Sequence, residues 1–140
     1  MSARGISLQG GWTGVYDYGD DAPGEPVAFT ASLFDIAGAV WGTTQEPNIA
    51  APGADLLASV SGARSGREVK FRKIYEGAPR GHEAPVDYAG HVMGDGNRIE
   101  GRWQISHGGQ IIAGSFVMNR KPGVAKSAAR SATAKGEVSA

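Results

Sequence analysis

Four tyrosines (Tyr16, Tyr18, Tyr75 and Tyr88), two further rings (Phe29 and Trp103) and one charge of each sign (Glu46 and Lys73) are the residues of this sequence best suited to chemistry. Each sits in an alternating stretch, on the phase that carries its apolar neighbours. Phenols donate and accept hydrogen bonds, and aromatic rings stack on flat ligands. A carboxylate and an ammonium turned toward a core are costly unless they pair or hold something polar. A few convergent polar groups among aromatic walls describe a small-molecule pocket. The expected ligand is small and partly aromatic or anionic, held by Lys73 and the phenols and stacked on Phe29 and Trp103. The competing reading is a polar core that satisfies itself, with Lys73 reaching up to the rim.

Other chemistries find less support. There is no Cys, and of the three histidines His82 and His107 fall in expected loops while His91 faces outward. No metal or haem site is therefore expected inside, and no cofactor. No Gly-x-Ser-x-Gly and no Ser-His-Asp arrangement is present, so no catalytic residue is assigned. Glu46 with the tyrosines could serve an isomerase or cyclase as acid and base, but no motif supports an enzyme. Lys70 and Arg72 share the outer face of their strand with Ile74, which reads as a solvated face rather than a nucleic-acid platform.

The elements that must position these residues show period-two alternation. The first is 10–18, with Trp12, Gly14, Tyr16 and Tyr18 on one face. Further strands are expected over 27–36, 40–46, 56–64, 68–75, 85–93, 98–105 and 110–120. Their links are hairpin-length, so the fold class is all-β: an eight-stranded antiparallel up-and-down barrel. Closure removes the exposed edges. Glycines on the inner phase (Gly14, Gly42, Gly62, Gly90, Gly101 and Gly114) suit tight coiling and leave room for rings. Pairing Ile36 with Trp41 across the turn near Gly38 aligns the second and third strands. Asp95-Gly96 suggests a type I′ turn. Strand alternation gathers short turns at one end, a floor holding Trp12, Asp35, Arg64 and Arg120. There Arg120 is expected across the Trp12 ring, and Asp35 beside Arg64. The longer loops 19–26, 47–55 and 77–84 surround the other end, the mouth.

With 140 residues and no net charge, the chain suits one domain and gives no bulk signal for nucleic acid or acidic membranes. Residues 1–9 form an N-terminal extension, 10–120 the barrel, and 121–140 an Ala/Ser/Lys-rich tail that reads as disordered. No apolar run spans a membrane, and no signal-peptide core is visible. With the lack of Cys this suggests a cytoplasmic protein. Phe34, Ile36 and Trp41 form an outward apolar cluster of the kind used by a homo-oligomer, or by a barrel that binds or inhibits other proteins through its outer face.

Gly10-Gly11-Trp12 opening the first strand, the meander, and Arg120 closing the last one resemble the calycin superfamily of lipocalins, fatty-acid-binding proteins and avidins. The short strands and tight turns most resemble the avidin type. Val69 to Tyr75, Tyr88-Ala89-Gly90 and Ile99 to Trp103 are also similar to small bacterial lipocalin-like domains. The resemblance covers roughly 10–120 and implies a ligand-holding barrel. The biotin-binding set of the avidins does not carry over, so biotin is not implied.

Overall fold

A computed structural model describes residues 6–18, 25–48, 53–77 and 83–121. His82 and the tail from residue 122 lie outside the described residues. Eight strands follow one another: β1 (Gly10–Asp17), β2 (Val27–Ile36), β3 (Ala39–Pro47), β4 (Asp55–Ser65), β5 (Glu68–Tyr75), β6 (Val86–Met93), β7 (Arg98–His107) and β8 (Gln110–Arg120). They form a closed barrel in which every strand pairs antiparallel with its sequence neighbours, and β1 pairs with β8. This is the up-and-down barrel that the alternation predicts. No helix is long and apolar enough to cross a membrane among the described residues.

Alternation sets the interior. Along β2, β5 and β6 buried and exposed residues alternate almost without a break, because successive side chains in a strand point to opposite faces. The coiling is tight enough that some inward positions have no room for a side chain. A Cβ on Gly42 would stand 1.9 Å from the Ser32 carbonyl oxygen, and one on Gly114 would stand 1.8 Å from the Asp17 carbonyl oxygen and 2.7 Å from the Trp103 indole. Glycine at 114 is what lets Trp103 lie across the neighbouring strand.

Three local expectations are corrected. Ile36 pairs with Ala39, and Trp41 lies opposite Phe34. The difference is two residues, so every side chain keeps its face. The link is Ala37-Gly38, with φ of 53° and 92°, the sign pattern of a type I′ turn. At 94–97 the hairpin has four linking residues between the paired Met93 and Arg98. Gly94 and Gly96 carry the positive φ there, and Asp95 does not, so the two-residue type I′ turn is absent. His107 is the last residue of β7, paired with Gln110, rather than a loop residue.

The floor is closed by more than the strands. Ile6 and Leu8, from the segment before β1, are buried beneath the barrel. The Trp12 indole N–H donates to the Leu8 carbonyl at 2.9 Å. Arg120 lies over the Trp12 ring, 4.5 Å from its centroid. Its guanidinium also donates to the carbonyls of Ser7, Gln9 and Gly96 and to the Asn97 side chain. Asp35 accepts from Arg64 Nε at 2.8 Å and from the backbone amides of Leu8 and Gly38. Burial alone would raise the Asp35 carboxyl; Arg64 and the two amides outweigh it and hold it below the usual carboxylate range.

Candidate ligand-binding site

β1, β3 and β5 all run from floor to mouth, so their last inward positions converge under the rim. Tyr16 from β1, Glu46 from β3 and Lys73 and Tyr75 from β5 meet there. Glu46 is the hub. Its Oε2 accepts from the Tyr16 hydroxyl at 2.5 Å, and its Oε1 from the Tyr75 hydroxyl at 3.0 Å and from Lys73 Nζ at 3.2 Å. The carboxylate and the ammonium are 2 % and 1 % exposed.

Lys73 is also ringed by aromatics. Its Nζ stands 4.7 Å from the Tyr75 centroid, 4.9 Å from Tyr16, 5.3 Å from Tyr88 and 5.8 Å from Phe29. At such distances ring faces attract a cation. Burial pushes the Lys73 ammonium below its usual range, and Glu46 opposes that shift without cancelling it. Burial first, helped by the charge of Glu46, raises Tyr16, Tyr75 and Tyr88, although a hydrogen bond with Tyr16 pulls Tyr75 the other way. These three phenols therefore stay protonated at neutral pH and can act as donors.

Above this cluster lies a cavity of about 260 Å³, roughly the liquid volume of nine waters. Tyr16, Tyr18, Tyr75, Tyr88 and Trp103 line it together. The rings brace one another: Tyr18 meets Trp103 edge-on at 5.2 Å, and Tyr16 meets Trp103 at 6.0 Å and 77°. Trp103 spends its N–H on the Asp17 carbonyl at 2.9 Å, so the cavity sees only its ring. Tyr88 is stacked on Phe71 at 4.9 Å. Neither the Tyr18 nor the Tyr88 hydroxyl has a hydrogen-bond partner among the described residues.

Phe29, Glu46 and Lys73, expected to touch a ligand, do not line this cavity. Phe29 is buried lower, with its ring where a Cβ on Gly14 would fall, and Glu46 and Lys73 form the layer beneath the phenols. Among the described residues, the rest of the wall comes from Val86, Ile105 and Ile112, and the rim from Glu83 and Ala84. The three aliphatic residues were on the inward phase and could have been found by following it to the mouth. Glu83 and Ala84 precede β6 and carry no periodic signal.

Thr44, two residues before Glu46 on the same face, has a buried hydroxyl without a partner among the described residues. No group of three metal-ligating side chains occurs among the described residues. His91 points outward beside Glu68, at 3.1 Å. No protein-family model matches the sequence, and a search of curated proteins gives no match.

Proposed function

We propose that this barrel binds a small molecule in the cup at its mouth. The observation that carries the reading is the braced aromatic cavity: four phenols and an indole surround about 260 Å³ of unfilled space. A barrel selected for stability alone would fill that volume with aliphatic side chains. The Glu46–Lys73 pair beneath acts as a rigid polar base that fixes Tyr16 and Tyr75. The calycin reading fits the same picture: the meander, the tryptophan of β1 and the arginine of β8 that lies over it resemble that superfamily.

The test is a thermal-shift screen of metabolites and lipids on the protein and on Ala84→Trp, which narrows the rim. A ligand at a hundred times its Kd adds about 2.7 kcal/mol, a rise in Tm of roughly 10 °C. Ligands should stabilise the parent and lose most of their effect on Ala84→Trp. A screen without stabilising compounds, or hits that ignore the substitution, would overturn the reading.

A second reading rests on a different surface. Phe34 and Trp41 are stacked on the outside at 5.5 Å and 19°, with Ile36 exposed nearby. The outward positions within 30–36, 39–45 and 57–63 are all uncharged, whereas β5 to β7 present Glu68, Lys70, Arg72, Asp87 and Arg102. Such a face suits contact with another protein or with a second copy. Light scattering decides it: a monomer at high concentration, unchanged by Trp41→Glu, would exclude self-association.

A further inference from the structure

Among the described residues the cup offers no uncommitted charge to a charged ligand from within, although charges lie just beneath it. Glu46 already accepts from Tyr16, Tyr75 and Lys73. The seat that the rings could offer a cation is filled by the chain's own Lys73 ammonium, 4.7 to 5.3 Å from Tyr75, Tyr16 and Tyr88. Among the described residues of the cup an anionic ligand would find only that ammonium, which is 1 % exposed and committed to Glu46. Moving an ion from water to a site that gives it no partner is strongly unfavourable. Glu83, the charged residue at the rim among the described residues, is exposed to water and already has a partner, so it attracts a further cation only weakly.

The cup does offer ring edges and two phenol hydroxyls, Tyr18 and Tyr88, without partners among the described residues. A hydroxyl both donates and accepts, so it serves an uncharged polar group of either kind. We infer that the ligand is a compact, uncharged, ring-bearing molecule with one or two polar substituents, recognised by stacking and by the hydroxyls of Tyr18 and Tyr88. This rests on the small-molecule reading above, and it narrows the ligand class from aromatic or anionic to neutral and aromatic.

The experiment is calorimetric titration with three probes that share one ring system: 2-naphthol, 2-naphthoate and 2-naphthylmethylammonium, at pH 7. The neutral probe should bind at least about tenfold more tightly than either ion. Tyr88→Phe should weaken 2-naphthol about five- to tenfold while leaving the fold intact, as judged by far-UV dichroism. Equal or tighter binding of either ion, lost in Ala84→Trp, would overturn the inference and leave the cup reading standing. Binding of 2-naphthol that ignores Tyr88→Phe, or no binding of any probe, would overturn the inference; binding that also ignores Ala84→Trp would overturn both.

Discussion

At the floor, Asp35 takes two backbone amides as well as Arg64, and Arg120 gives hydrogen bonds to three backbone carbonyls. At the mouth, Glu46 takes only side-chain donors: two phenols and an ammonium. Both ends combine an acid–base pair with a cation against rings, yet the anchoring differs. The floor network ties the path of the chain before β1 to the turn before β7 and to the end of β8. It acts as a rivet. The mouth network ties side chains to one another and props up a ring of aromatics whose upper edges stay uncommitted. A device that grips backbone closes a barrel; a device that grips only side chains shapes a surface inside it.

The largest test of this difference is at the mouth. Lys73→Met removes the ammonium and leaves Glu46 buried with phenols as its partners. Removing one member of a buried ion pair costs about 3–5 kcal/mol, read from the midpoint of urea unfolding. Adding Glu46→Gln should restore most of the loss, because the amide carbonyl still accepts from Tyr16 or Tyr75 and no unpaired charge is left. A loss under about 1 kcal/mol in the single variant would mean that water reaches the pair, contrary to the burial described.

Next in size is the floor rivet. Arg120→Ala removes four hydrogen-bonding partners and the contact with Trp12. The expected cost is about 3 kcal/mol, composed of a cation–π term and charge-assisted hydrogen bonds. Arg120→Lys should recover less than half, since one ammonium cannot reproduce the guanidinium fork. Probe affinity at the cup should not change in the lysine variant; a matching loss there would show that the two ends are coupled.

Proton uptake should separate the ends as well. The Asp35 carboxyl lies below its ordinary 3.8 in the folded chain. Its contribution is present above that value and is lost as pH falls through the lower, folded one. The phenols of Tyr16, Tyr75 and Tyr88 lie above their ordinary 10.0. Their contribution is present below pH 10 and fades as pH rises beyond it. Urea midpoints measured across pH should therefore fall on both flanks. Asp35→Asn should flatten the acid flank alone, and Tyr16→Phe part of the alkaline flank alone. An acid flank left untouched by Asp35→Asn would remove Asp35 from the floor network.

Most of this contrast was legible in the sequence because a strand writes its two faces as a period of two. That phase put Trp12, Asp35, Arg64 and Arg120 inward at one end and the phenols, Glu46 and Lys73 inward at the other. Depth was not legible. Nothing in a period of two says that Lys73 sits under its tyrosines rather than beside a ligand, or that Phe29 fills the space over Gly14. Register was only half legible, since a slip of two between Ile36 and Trp41 leaves the phase unchanged. The floor plug was missed for a simpler reason: Ile6 and Leu8 lie in a short segment outside any strand, where two apolar residues make no pattern. Glu83 and Ala84 were missed on the same ground.

The smallest prediction compares two turns, one at each end. Ala37-Gly38 at the floor and Gly108-Gly109 at the mouth both have positive φ at each central residue. Only the floor turn puts a side chain there, on Ala37 at φ 53°. A non-glycine residue in that region costs roughly 1–2 kcal/mol, while replacing alanine by glycine adds unfolded-state entropy worth about 0.4–1 kcal/mol. The first term is the larger, so Ala37→Gly should stabilise by about half a kcal/mol. Gly108→Ala should destabilise by a similar amount, since a Cβ there meets no atom within 4 Å and only the backbone conformation is strained. Thermal unfolding of the two variants checks the symmetry. If Ala37→Gly destabilises instead, the methyl group of Ala37 makes a contact that outweighs its strain, and the floor turn is held by packing as well as by conformation.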